Sequence, residues 1–140
     1  MNAMHPKSAA GGFSLIELLV VLVILGMIAG LVVPNIMGRS EDAKARTAVA
    51  EIQRLSMAVD EFYLDTGRAP RELRELVEEP SGVSNWNGPY VNNSNLNDPW
   101  QNPYQYRYPG EHRDFDLFSY GADGSPGGED AAKDVANWEQ

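Results

Sequence analysis

The chain of 140 residues carries 20 acidic and 11 basic side chains, a formal net charge of -9, and no cysteine. This acidic balance, without a basic patch along the sequence, repels phosphate backbones and excludes nucleic acid as a partner. The absence of cysteine excludes disulfides and thiolate chemistry, and the length leaves room for about one modest domain beyond an apolar N-terminal segment.

That apolar segment extends from Gly11 to Pro34 and contains a single charged residue, Glu17. It reaches the roughly 20 apolar residues that a helix needs to cross a bilayer, so we expect a transmembrane helix over residues 13–34. A secretory signal has a shorter apolar run that is followed by small residues. Here the small residues 9–12 precede the run, so we expect processing on its N-terminal side and retention of the helix.

The residues at the start of the segment, Gly12-Phe13-Ser14-Leu15-Ile16-Glu17, resemble the signal of type IV pilins and type II secretion pseudopilins. The resemblance implies a leader peptide over residues 1–12, cut by a prepilin peptidase between Gly12 and Phe13, with methylation of the new Phe13 amine. It also implies that Glu17 sets filament register by pairing with a neighbouring subunit's amine, because either charge buried alone is costly. The alternative is an ordinary signal anchor.

Pro34 removes a backbone donor from the helix, so a kink or local melting is expected there. Beyond it, apolar residues recur at spacings of three and four, which predicts one buried face of a helix that carries the C-terminal domain. Gly67 suits the left-handed C-cap that ends this helix. The residues of the apolar face are Ala45, Ala48, Ile52, Leu55, Val59 and Phe62.

The remaining elements predict a small sheet. Residues 70–79 read as a short second helix, and residues 81–101 as loops with a brief strand at Tyr90-Val91. Residues 104–108 and 115–120 alternate as two antiparallel strands do. We therefore expect an α+β fold with a long N-terminal α-helix, transmembrane in its first half and packed against a small C-terminal antiparallel β-sheet, the lollipop shape of pilins. Trp100 is expected to anchor the core.

An acidic, glycine-rich segment follows the second strand. Calcium is bound by carboxylates, carbonyls and water in flexible loops. An EF-hand is not expected, because no amphipathic helices flank this segment. The pattern Ser119-x-Gly121-x-Asp123-Gly124, then Gly127-Gly128 and Asp134-x-x-Asn137-Trp138, resembles the calcium loop of major type II secretion pseudopilins.

That resemblance implies calcium as a cofactor, bound by the side chains of Asp123 and Asp134 and the carbonyls of Tyr120 and Ser125. Asp130 is a further candidate ligand. The alternative is a solvated acidic tail without metal. We expect Trp138 to hold the end of this tail against the domain.

One family feature is missing. Relatives are expected to carry basic residues after the Tyr90-Val91 segment, which pair with an acid on a neighbour's helix. Asp60 matches that acid, but Asn92 and Asn93 occupy the basic positions. The sequence leaves open which intersubunit ion pairs replace this one.

The resemblance implies a structural subunit, not an enzyme, that polymerises into the periplasmic pseudopilus of a type II secretion system. Its domains are the leader, residues 1–12, the transmembrane and assembly helix, residues 13–34, and a periplasmic domain, residues 35–140, with a calcium loop. The implied location is the inner membrane, as a single-pass protein, before assembly. The implied partners are copies of itself, the prepilin peptidase, minor pseudopilins and the inner-membrane secretion platform.

Two alternatives remain. The first is a type IV or DNA-uptake pilin, many of which close their C-terminal region with a disulfide, which this chain cannot form. The second is a membrane-anchored calcium-binding protein that never polymerises. Neither histidine supports catalysis, since His5 lies in the leader and His112 in a turn without a nucleophile pattern.

Overall fold

The computed structural model describes residues 11–139, with the helical backbone but not the side chains of residues 32–37. Most of the predicted leader, residues 1–10, therefore lies outside the described residues. Helix α1 extends over Leu15–Thr66. A kink or local melting was expected at Pro34; its backbone is helical, so it does not melt there, and the side chain of Pro34 lies outside the description.

The chain divides into two compact units, the first ending at Gly38 and the second beginning at Arg39. In the first unit, every large apolar side chain from Phe13 to Leu31 is exposed. Within the described residues, no helix combines the length and the hydropathy that crossing a membrane requires. The segment predicted to be transmembrane, residues 13–34, ends among the side chains that are not described.

In the second unit, α1 buries one face, as the three-and-four spacing predicted. Ala48, Ile52, Leu55, Val59 and Phe62 are buried, and Ala45 is half-buried. Residues three and four apart lie on the same side of a helix, so this face can be covered by a single layer of chain. The layer that covers it includes Leu73, Leu76, Val91, Tyr104 and Leu117.

Part of this layer is a three-stranded antiparallel sheet in the order β1-β2-β3. Its strands are β1 (Gln105–Arg107), β2 (Asp116–Ser119) and β3 (Val135–Ala136). Tyr106 pairs with Leu117, and Phe118 pairs with Ala136. The two predicted strands and the α+β class are confirmed. The third strand was missed, because two residues are too few for an alternating pattern.

Three details of the sequence interpretation are wrong. The predicted helix over residues 70–79 is only a 3₁₀ turn, Leu73–Leu76, whose buried ends lie three residues apart, as one 3₁₀ turn requires. Tyr90-Val91 is not a strand; Tyr90 instead donates its N–H to the Leu76 carbonyl at 2.8 Å. Trp100 is half-buried and lies outside the main core.

The C-cap of α1 follows the prediction. Gly67 has a φ of +75°, in the left-handed region, and its N–H donates to the Tyr63 carbonyl at 2.9 Å. Glycine adopts this conformation without a Cβ penalty, so the helix can stop here and the chain can reverse over its apolar face.

Candidate functional site

The predicted processing site lies in accessible chain. Residues 11–14 have no regular structure, and Phe13 is 86% exposed. Helix α1 begins at Leu15, so the Gly12-Phe13 peptide bond is outside its hydrogen-bonded turns. Glu17 lies in the first turn, where the helix dipole favours an acid. It is exposed and makes no hydrogen bond or ion pair with any residue that the structure describes.

The acidic loop has a backbone that depends on glycine. Gly121, Gly124, Gly127 and Gly128 all have positive φ, between +63° and +99°. Asp130 also has a positive φ, +52°, which is uncommon for a residue with a side chain. These turns bring a 3₁₀ turn at Gly121–Asp123 against another at Asp130–Ala132. The two halves of the acidic loop therefore lie side by side.

Two of the predicted calcium ligands hold this loop through their carboxylates. Asp123 Oδ1 accepts the Ser125 N–H at 3.1 Å, and Asp134 Oδ2 accepts the Gly127 N–H at 3.0 Å. The other oxygen of Asp134, Oδ1, is buried and has no hydrogen-bond partner. A buried carboxylate oxygen without a partner is costly, and a cation would satisfy it.

The other predicted ligands are placed as follows: Asp123, Ser125 and Asp130 are exposed, and Tyr120 and Asp134 are half-buried. Among the described side chains, no three of His, Asp or Glu lie close enough together to hold a metal ion. The structure therefore does not bring the further candidate Asp130 together with both Asp123 and Asp134. Without Asp130, the predicted set has two carboxylates, completed by main-chain carbonyls. An all-oxygen donor set of this kind, with one carboxylate oxygen left open, fits calcium.

A buried carboxylate outside the loop, Asp98, was missed by the sequence interpretation. It is 1% exposed, and its Oδ2 accepts the Ser119 hydroxyl at 2.6 Å. Ser119 Oγ in turn accepts the Gly121 N–H at 3.0 Å. Sequence analysis assigned a role only to Trp100, two residues further along, which was expected to anchor the core. Trp100 Nε1 instead donates to Glu41 Oε2 on α1 at 2.6 Å.

A second buried carboxylate, Asp116, organises the turn between β1 and β2. It accepts the N–H groups of Glu111, His112 and Arg113 at 2.8–3.2 Å, and the His112 ring lies 3.1 Å away. Burial opposes ionisation, but the hydrogen bonds from Glu111 and His112 outweigh it and lower the pKa of Asp116 to about 2. Asp116 therefore has its partners within the chain.

The C-terminal tail is held against the domain, as predicted for Trp138. The Trp138 ring stacks on His112 with centroids 4.1 Å apart and meets Phe118 edge-on at 5.5 Å. Asn137, which the sequence interpretation named only as part of the loop pattern, accepts the Leu117 N–H at 3.2 Å and donates to the Phe115 carbonyl at 3.1 Å. These contacts fix the end of the acidic loop.

Comparison with known proteins agrees with this arrangement. Residues 35–138 match the family "Type II secretion system (T2SS), protein G". The chain belongs to this family. Residues 7–33 match the prokaryotic N-terminal methylation motif, so the two matches meet near the division between the two compact units.

Full-length relatives of the family are similar throughout. Type II secretion system core protein G of Pseudomonas aeruginosa is 44% identical over 134 residues, covering 91% of this chain and 94% of the relative. The Xanthomonas campestris protein of the same name is 40% identical over 129 residues, covering 92% and 90%. The crystal structure of the major pseudopilin from enterohaemorrhagic Escherichia coli is 34% identical with a TM-score of 0.62, covering 78% of this chain and 98% of that one.

These comparisons confirm the recognition of a major pseudopilin and its pilin-like α+β fold. Members of this family are structural subunits, so the prediction that the chain is not an enzyme is also confirmed. The alternatives of a type IV pilin or a non-polymerising anchor protein are not favoured.

Proposed function

We propose that the chain is the major subunit of a periplasmic pseudopilus in a type II secretion system, where it helps to export folded proteins. It is made with a leader that a prepilin peptidase removes between Gly12 and Phe13, and the new Phe13 amine is methylated. Before assembly, residues 13–34 hold it in the inner membrane. The match of residues 7–33 to the N-terminal methylation motif supports this processing.

The exposure of the first half of α1 carries the proposal. All large apolar side chains from Phe13 to Leu31 face outward, which is costly in water. Lipid can cover this surface before assembly, and the same helix of other copies can cover it afterwards. The protein therefore polymerises through this helix, and the inner-membrane platform and minor pseudopilins are the partners that start and drive the process.

Glu17 has a defined task in this assembly. It is exposed and has no partner among the described residues, yet it lies in the apolar half of the helix. An unpaired charge in an apolar bundle costs several kcal/mol, whereas a charge paired with the Phe13 amine of a neighbour is compensated. An apolar surface tolerates sliding, but an ion pair does not, so Glu17 sets the register between subunits.

The test is expression of Glu17→Ala with a prepilin peptidase and the other secretion components, followed by electron microscopy and by analysis of cleavage. We expect cleavage after Gly12 to remain and filaments to be abolished. Glu79→Ala, which removes an exposed acid outside α1, should assemble normally. Normal filaments from Glu17→Ala would contradict the register role, and no filaments from the wild type would favour the non-polymerising alternative.

We further propose that the acidic loop binds calcium through the side chains of Asp123 and Asp134 and the carbonyls of Tyr120 and Ser125. The unpartnered, buried Oδ1 of Asp134 supports this assignment. The ion supplies positive charge that offsets repulsion among the carboxylates of the loop. The chain itself supplies the turns that orient oxygens, through glycines with positive φ.

Thermal unfolding of the Asp123→Ala variant tests the metal site. In millimolar calcium the variant should unfold at a lower temperature than the wild type, because it has lost a ligand that binds only in the folded state. In excess chelator the difference should shrink to the small cost of losing the exposed hydrogen bond between Asp123 and Ser125. Asp114→Ala removes an exposed carboxylate of the β1–β2 turn and should behave as the wild type in both conditions. Equal stability of wild type and Asp123→Ala in calcium would contradict the site.

A further inference from the structure

Asp98 has an unusual set of partners for a buried acid. It is 1% exposed and forms no ion pair with the described residues. Its Oδ1 accepts the N–H groups of Trp100 at 3.0 Å and Asn102 at 2.8 Å, and its Oδ2 accepts the Ser119 hydroxyl at 2.6 Å. A buried charge without a counter-ion is costly, and here three hydrogen-bond donors offset part of that cost.

The partners of Asp98 hold one residue of the acidic loop. Ser119 Oγ accepts the Gly121 N–H at 3.0 Å, and Asn102 Nδ2 donates to the Gly121 carbonyl at 3.0 Å. Asp98 binds both of these residues, Ser119 through its hydroxyl and Asn102 through its backbone. Both polar groups of the Gly121 main chain are therefore held by the partners of Asp98, and the Gly121 carbonyl also accepts the Gly124 N–H at 3.3 Å.

Gly121 in turn lies against the other half of the loop. A Cβ added to it would lie 2.8 Å from the Lys133 carbonyl oxygen and 2.9 Å from that of Ala131. No side chain fits in this space, and the φ of +73° also favours glycine. Lys133 directly precedes Asp134. A displacement of Gly121 must therefore shift the half of the loop that carries the predicted ligand Asp134.

The direction of the hydrogen bonds requires a carboxylate. Asp98 can only accept, so the Ser119 hydroxyl must donate to it, and a lone pair of Ser119 Oγ then faces the Gly121 N–H. An asparagine amide group at this position would donate towards Ser119 Oγ and leave its hydroxyl hydrogen without an acceptor. Ser119 is fully buried, so water cannot replace the lost acceptor.

We propose that Asp98 is a positioning residue for the calcium loop: through Ser119 and Asn102 it fixes Gly121, and thereby the spacing of the two halves that supply the cation's ligands. We assign it no ligand role, because it lies outside the acidic loop and each of its oxygens already accepts a hydrogen bond from the chain. This inference rests on the calcium site proposed above. Residues that orient the ligands of a metal typically change its affinity by about 10–100-fold when they are replaced.

The test is calorimetric titration of calcium into the full-length processed protein in detergent, with Asp98→Asn as the main variant. Its affinity for calcium should fall roughly tenfold or more. Asn102→Ala retains the backbone N–H that Asp98 accepts and loses only the bond to the Gly121 carbonyl, so its affinity should fall by a smaller factor. Tyr106→Phe deletes a hydroxyl that donates to the Pro70 carbonyl, away from the loop, and should bind as the wild type.

Thermal unfolding in calcium and in chelator separates positioning from a structural role. A structural role alone would lower both unfolding temperatures equally, whereas a positioning role reduces the gain that calcium provides. Wild-type affinity in both Asp98→Asn and Asn102→Ala would overturn the positioning role and leave the calcium site intact. If Asp98→Asn does not fold, the calcium affinity of Asn102→Ala alone tests the positioning role. Failure of the wild type to bind calcium would overturn the site and the positioning role together.

Discussion

The two halves of helix α1 differ in burial: apolar side chains are exposed in the first half and buried along one face in the second. From Phe13 to Leu31 every large apolar side chain is exposed, and Glu17 has no partner among the described residues. In the second unit the apolar face from Ala48 to Phe62 is buried, and the buried acids Asp98 and Asp116 have partners. The second half is buried within the chain, whereas the first half is exposed and, on the proposed function, is covered by lipid or by other copies.

The largest change in the free energy of unfolding is expected for a substitution in the buried half of α1. Phe62→Ala removes a fully buried ring from the core and should lower the free energy of unfolding of the domain by about 3–5 kcal/mol. Chemical denaturation followed by circular dichroism measures the loss. Leu64→Ala, on the same helix but 80% exposed, should change it by no more than about 0.5 kcal/mol. If both variants lost a similar free energy of unfolding, burial would not explain the contribution of Phe62 to stability.

A smaller effect is expected for the acid of the β1–β2 turn. Asp116→Asn replaces a charged acceptor of three backbone N–H groups and should cost roughly 1.5–3 kcal/mol of unfolding free energy at neutral pH, the range for hydrogen bonds to a charged group. The wild-type domain should also unfold more readily as the pH decreases, because protonation removes the charge of Asp116.

The sign of this pH dependence follows from the lowered pKa. Folding lowers the pKa of Asp116 from 3.8 to about 2, so its contribution is complete above pH 4 and is lost as the pH falls towards 2. Denaturation of the wild type and of Asp116→Asn at several pH values measures the difference between them, which should narrow over this window. A difference that stays constant down to pH 2 would contradict the role of the charge.

The smallest effect on the domain is expected from the exposed half of α1. Leu22 is 62% exposed in the first unit, so Leu22→Ala should change the free energy of unfolding of the domain by less than about 0.5 kcal/mol. Its cost should appear instead as a lower yield of filaments, because it removes apolar surface from the proposed assembly helix. If Leu22→Ala lowered the free energy of unfolding of the domain by more than about 1 kcal/mol, the first half of α1 would also contribute to the stability of the domain, contrary to this prediction.

Strongly periodic and motif-bearing parts of the chain could be predicted. The buried face of α1 followed from its three-and-four spacing, and the stop at Gly67 followed from the need for a left-handed residue. The strands around Tyr106 and Leu117 followed from alternation. The loop near Asp123 and the processing site at Gly12 were recognised by motif, and their chemistry stays a prediction.

The tertiary structure alone decided which polar groups are buried and what they bind. Asp98 and Asp116 look like ordinary loop and strand-end acids in the sequence, since most of their donors are backbone N–H groups that no residue pattern reveals. Strand β3 forms only because β2 offers it a free edge, and its two residues have no periodicity of their own. The sequence by itself determined the helix, its apolar faces and the family, because these depend on local spacing. Most partners of Asp98, Asp116 and Asp134 lie within seven residues along the chain, but only the turns of the folded chain bring their N–H groups to these carboxylates. Asp98 also binds Ser119, which lies 21 residues away.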